Sequence, residues 1–221
     1  MENQPTTDDF KAIAKQLSCP EGANGIKTGE AMNLTNKGMT QAAIDAISPQ
    51  NQDQILEIGH GNAGHLKYLL AKAQEIQYQG ADISETILIE ARRINQTFVE
   101  KGQANFTLTD GQLLPFKKET FHKVFTVNTI YFWKDAPAYL TEIKRVIKPN
   151  GLFALCFADK AFMEKLPFTP YGFKLYHLND VKNLLETAGF TILNELANTE
   201  QVKSNAGEMV TRDYFVIVAK N

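Results

Sequence analysis

The chain has 221 residues, of which 43% are hydrophobic and 22% charged, with a formal net charge of −2. That length suits one α/β domain with a substantial core, and the near-neutral charge offers no footprint for nucleic acid or an anionic membrane surface. No apolar run is long enough for a transmembrane helix, and neither Cys19 nor Cys156 stands in a metal-ligand spacing, so no metal site is expected. The first nine residues are polar and acidic, without the apolar core of a secretory signal. With two thiols far apart and read as reduced, the expected compartment is the cytoplasm.

In chain order, helical spacing of apolar residues predicts a helix over 10–17. Residues 18–29 read as loop because of Pro20, Gly22, Gly25 and Gly29, and 32–47 as one or two helices ended by Ser48-Pro49. Strands and helices then alternate. Strands are predicted at 54–58, 76–81, 105–109, 123–127 and 152–157, and helices at 65–73, 85–101, 136–147 and 179–188. Two last strands, 191–196 and 214–219, have no helix between them. The pattern predicts a three-layer, doubly wound, mostly parallel seven-stranded sheet with a C-terminal antiparallel pair. The polar connection 197–212 is expected to be a long, mobile loop.

The most informative stretch is Ile55-Leu-Glu-Ile-Gly-His-Gly-Asn-Ala-Gly64. A strand carrying Glu57 runs into a turn with Gly59, Gly61 and Gly64 and then into a helix. This order brings backbone amides up to a nucleotide-like cofactor. The glycines alone also fit a dinucleotide-binding pattern, but no Lys-Ser or Lys-Thr pair makes the turn a phosphate-cradling loop. Asp82 follows the second strand, where a carboxylate can accept from ribose hydroxyls; the alternative is a helix cap with Glu85. Asp110 follows the third strand, where it can accept from an adenine amino group or simply make an Asp-Gly turn. Asn128 to Trp133 follows the fourth strand and can wall an apolar pocket or pack the next helix.

Together these pieces resemble the Rossmann-like, class I S-adenosylmethionine-dependent methyltransferases of small-molecule type. Leu56 to Gly64 looks like that family's first motif, Gly80-Ala81-Asp82-Ile83-Ser84 its ribose segment, Asp110 to Phe116 its adenine segment, and Val146 to Gly151 the turn before its fifth strand. The segment from Gly25 to Met39 is similar to the N-terminal cap of some members. The resemblance implies an N-terminal helical cap or lid over 1–50 and an S-adenosylmethionine-binding domain over 51–221. It implies that Glu57, Gly59, His60 and Gly61 hold the methionine part, Asp82 and Ile83 the ribose, and Asp110, Gly111 and Gln112 the adenine. Asn128 would lie beside the methionine or the transferred methyl. Two departures stand out: Ala63 where the family often has a third glycine, and Phe121-His122-Lys123 where it usually has an Asp.

Methyl transfer from a sulfonium needs chiefly a well-placed acceptor, and His60 and Tyr131 are the only candidates for a base or orienting hydroxyl. Aromatic residues from Phe162 to Tyr176 suit either a flap over a small, partly hydrophobic acceptor or ordinary packing over the sheet edge. Asn-Thr-Ile-Tyr after the fourth strand is not the motif with which amino-methylating enzymes grip a planar amine, so no nucleic-acid partner is expected. Competing functions are an NAD(P)-dependent oxidoreductase and a non-catalytic S-adenosylmethionine-binding protein.

Overall fold

The computed structural model describes residues 5–203 and 209–221, and in it the apolar runs become one sheet. Its strands are β1 (Gln54–Ile58), β2 (Gln77–Asp82), β3 (Ala104–Leu108), β4 (Phe121–Val127), β5 (Ile147–Ala158), β6 (Thr191–Lys203) and β7 (Met209–Lys220). Their order is β3-β2-β1-β4-β5-β7-β6. The first five pair in parallel, whereas β7 is antiparallel to both β5 and β6. Ile55 to Ile58 and Gly151 to Ala158, apart from Leu152, are buried at nearly every successive position. Only a sheet covered on both faces requires that.

The helices are α1 (Thr7–Ser18), α2 (Gly22–Thr35), α3 (Lys37–Ala46), α4 (Leu66–Leu70), α5 (Glu85–Ile94), α6 (Gln96–Glu100), α7 (Ala136–Val146), α8 (Lys160–Met163) and α9 (Leu178–Thr187). Each long one has a local reason. In α5 the Ser84 hydroxyl accepts from the Ile87 amide, and Ile87, Leu88 and Ala91 form the buried stripe. In α7 Asp135 caps the Ala138 amide, Pro137 sits in the first turn, and Tyr139, Leu140, Ile143 and Val146 face the core.

Three sequence expectations need correction. Residues 22–29, read as loop, are the first part of helix α2, because Gly25 and Gly29 serve close packing: a Cβ on Gly25 would come within 2.7 Å of the Pro20 carbonyl carbon, and one on Gly29 within 2.6 Å of Ile87 Cδ1. The predicted helix 85–101 is two, broken at Asn95, whose buried amide donates to the Ala63 and Ala91 carbonyls instead of facing solvent. The connection 197–212 is not a mobile loop where it is described. β6 and β7 continue as a ribbon from Ala197↔Phe215 to Lys203↔Met209, and residues 204–208 lie outside the described residues. Alternating polar side chains hide these strands, since an exposed two-stranded ribbon needs no apolar face.

Candidate functional site

At the C-terminal end of β1 the chain reverses through Gly59 (φ +72°) and Gly61 (φ +54°), both in the left-handed region. A Cβ on Gly59 would run into the Thr129 methyl, so the β4 end also demands glycine here. Asp82, 8% exposed, fastens the turn to the end of β2: Oδ2 accepts from the Gly61 amide at 3.2 Å and Oδ1 from the Ser84 amide at 2.9 Å. Since Ser84 caps α5, Asp82 is not the helix cap. Glu57 lies beneath the turn, buried, and its Oε2 meets the Tyr78 hydroxyl and His65 Nε2.

The two departures from the family pattern have structural answers. Ala63 takes the left-handed conformation (φ +50°) that a glycine would take, and its methyl is fully buried. Gly64 serves a different need: a Cβ there would fall 2.7 Å from Asn33 Nδ2, so its bareness lets α2 settle on the turn. At the start of β4, His122 Nδ1 accepts the Gln54 amide at 2.9 Å, supplying the first amide of β1 with an acceptor.

The turn forms the floor of a cleft with about 1050 Å³ of space free of protein atoms, solvent at its mouth included. Glu57 to Asn62, Asp82, Ile83, Thr109, Gly111 and Asn128 line it from the sheet, and α2 and its flanks close it with Pro20, Met32, Asn33 and Asn36. Most sequence-predicted residues therefore converge. Asp110 and Gln112 do not line the cleft and are exposed; the Asp110 carboxylate accepts from the Gln112 and Leu113 amides, which hold it below the usual carboxylate range. The Asp-Gly turn, the alternative for Asp110, is what forms, with Gly111 (φ +73°) on the cleft wall.

Of the two candidate catalytic side chains, His60 is 3% exposed at the cleft floor, edge-on to Phe106. Its Nδ1 lies 2.5 Å from the Gly61 carbonyl, to which it donates, and its buried Nε2 has no partner among the described residues. Tyr131 is buried outside the cleft lining. Its hydroxyl accepts from the Ala158 amide at 2.7 Å and lies 3.1 Å from Asn128 Oδ1 and the Ala158 carbonyl; burial pushes its pKa far up. Phe132 and Trp133 line the cleft, whereas Phe173 from the aromatic segment packs behind Phe132 at 4.6 Å between ring centroids. No residue of 162–176 lines the cleft, so that segment is packing and not a flap.

Sequence reasoning missed Arg212 and its contact with Asn36 of the cap segment, 176 positions away: Arg212 Nη1 donates to Asn36 Oδ1 at 3.2 Å. Nothing local signals the pair, because Arg212 sits among polar residues read as loop.

The donor set decides which nucleotide-like cofactor fits. Glu57 and Asp82 line the cleft, and no Lys or Arg is among its lining residues. The helix after the turn, α4, spans only Leu66–Leu70, too short to offer much dipole to a pyrophosphate. A phosphate-free cofactor carrying a sulfonium charge suits these carboxylates better than a dinucleotide does. Sheet order, glycine turn and acidic strand ends thus define a Rossmann-like methyltransferase fold and site.

Comparison with known proteins agrees. The family profile of a methyltransferase domain matches residues 56–155, from β1 into β5. An O-methyltransferase of Pyrenophora dematioidea is 24% identical over 190 residues, covering 81% of this chain and 70% of that one. A fatty-acid O-methyltransferase of Mycolicibacterium smegmatis is 33% identical over 101 residues, 45% of this chain and 35% of the relative. The crystal structure of an S-adenosylmethionine-dependent methyltransferase from Aquifex aeolicus shares the fold with a TM-score of 0.65 at 18% identity, covering 95% and 97% of the two chains. Residues 56–155 match a methyltransferase domain, on a fold shared with an S-adenosylmethionine-dependent methyltransferase of solved structure.

Proposed function

We propose that the protein methylates a small, partly hydrophobic acceptor, at an oxygen. The observation that carries this is the cleft itself: strand-end carboxylates without a lining cation at one end, and Met32, Phe132 and Trp133 as apolar wall. The choice of oxygen rests on similarity to the fungal and mycobacterial O-methyltransferases.

When bound, S-adenosylmethionine supplies a methyl group activated by its sulfonium. The residues read as holding it are Asp82 and Ile83 at the ribose, Gly111 at the adenine, and Glu57, Gly59, His60, Gly61 and Asn128 toward the methionine end. We read His60 and Tyr131 as groups that hold the turn and the β4 end in place, since both are buried and hydrogen-bonded into the frame. Positioning of the acceptor then provides most of the acceleration, for which proximity and orientation can supply about 7–11 kcal/mol. Residues 1–50 act as the cap: α1 packs on α2, and α2 packs on α5 across the turn. A cytoplasmic location fits the two free cysteines, and no described helix is long and apolar enough to cross a membrane.

The test is turnover: purified protein with labelled cofactor across phenols, fatty acids and hydroxyquinones. Label transfer to one of these classes, absent from amines of similar size, supports oxygen methylation of a small acceptor. Transfer to amines alone contradicts it.

A further inference from the structure

The ribbon of β6 and β7 reaches back to the cleft through one guanidinium. Arg212 is 6% exposed. Its Nε and Nη2 donate to Glu200 Oε1 at 3.1 and 2.6 Å, Nη2 also to the Thr35 carbonyl at 2.6 Å, and Nη1 to Asn36 Oδ1 at 3.2 Å. A guanidinium has donors only, so the Asn36 amide must turn its oxygen toward it. A second constraint agrees from the other side. The Ala158 amide donates to Asn128 Oδ1 at 3.2 Å, which turns Asn128 Nδ2 toward Asn36 Oδ1, also at 3.2 Å. Asn36 thus has its oxygen held by two donors, and its Nδ2 has no partner among the described residues. Asn36 and Asn128 both line the cleft.

The place matters as much as the orientation. Asn128 follows β4, one strand beyond the glycine turn of β1 and on the side opposite β2 and β3. That is about 5 Å along the sheet from the turn, at the end of the cleft away from the adenosine positions. The amino-acid tail of the cofactor carries a carboxylate, and no Lys or Arg lines the cleft to meet it. A neutral amide fixed in advance can do so without spending side-chain entropy on binding.

We propose that Arg212 is a positioning residue which, through Asn36, presents the Asn36 Nδ2–H as a fixed donor to the carboxylate of the cofactor's amino-acid tail. This rests on the cleft being the S-adenosylmethionine site. The long hairpin is thereby part of the binding machinery: it holds the junction of α2 and α3 over the cleft with the amide facing the right way.

Titration calorimetry with two probes tests it. S-adenosylhomocysteine has the tail, and 5′-methylthioadenosine has the same adenosine and sulfur without it. Asn36→Asp keeps an acceptor for Arg212 but offers no donor to the cleft. It should weaken S-adenosylhomocysteine about tenfold or more and leave methylthioadenosine within about twofold, since a hydrogen bond to a charged group is worth roughly that factor or more. Arg212→Met, which frees the amide to rotate, should show the same selectivity in smaller degree, and adding it to Asn36→Asp should cost S-adenosylhomocysteine little more. Equal weakening of both probes would make the network a mere prop for the cap and overturn the proposal, as would unchanged binding of both. Failure of the wild type to bind either probe would instead remove the cofactor reading on which the proposal stands.

Discussion

The Tyr78 hydroxyl lies 2.5 Å from Glu57 Oε2, both buried beneath the cofactor turn, and His65 Nε2 reaches the same oxygen at 2.8 Å. Burial first, and then the neighbouring Glu57 charge, pushes the Tyr78 pKa well up, so its proton stays in place to donate. Tyr78→Phe leaves the buried carboxylate one donor short. The expected loss of stability is about 1.5–3 kcal/mol, read by urea denaturation with an unchanged m-value. A loss under about 0.5 kcal/mol would mean that water reaches the carboxylate and replaces the phenol.

Tyr131→Phe separates a frame residue from a base. The hydroxyl accepts from the Ala158 amide and orients Asn128, so its removal should lower stability by about 1–2 kcal/mol and kcat by less than about tenfold. A general base would lose about 10²–10⁴-fold in kcat, and a fall of that size with the fold intact would restore Tyr131 to the chemistry.

His122 gives the stability a pH dependence of known sign. Burial and then the Lys148 charge lower its pKa below the ordinary 6.5, against a smaller opposing pull from Asp53. Nδ1 also needs its lone pair for the Gln54 amide. A depressed folded pKa means stability that is complete above 6.5 and lost as pH falls through 6.5 toward the folded value. Denaturation midpoints measured from pH 7.5 to 5 should therefore decline, and His122→Asn should flatten that slope. An unchanged slope in the variant would assign the decline to other groups.

The turn glycines should rank in a set order. Gly61→Ala meets only the left-handed strain, about 1–2 kcal/mol, because nothing lies near the added methyl. Gly59→Ala adds a collision with the Thr129 methyl and should cost more, with cofactor affinity falling further too. Equal melting temperatures for the two variants would contradict the close packing of Thr129 on the turn.

Much of this architecture is legible in local pattern. The five parallel strands and the turn after β1 show as apolar runs bounded by glycine and acid, because their burial is decided within a few residues. Asp82 is legible for the same reason: it stands at a strand end next to the turn it binds. What escaped was decided at a distance. The glycines of α2 look like loop signals until Pro20, Ile87 and Asn62 are seen packed against them. The ribbon at 197–203 and 209–212 has no apolar alternation, and Arg212 gains meaning only from Glu200, Thr35 and Asn36. Asp110 has the position of an adenine acceptor, after the third strand, yet its carboxylate takes the amides of its own turn.

The most direct test of the cofactor site is calorimetric titration of wild type and Asp82→Ala with S-adenosylmethionine, S-adenosylhomocysteine and NADH. Removing Asp82 takes away the acceptor of the Gly61 and Ser84 amides as well as the group read as holding the ribose. The account predicts micromolar binding of the first two ligands by the wild type, at least tenfold weaker in the variant, and no binding of NADH. Binding of NADH alone, or S-adenosylhomocysteine affinity unchanged in Asp82→Ala, would contradict it.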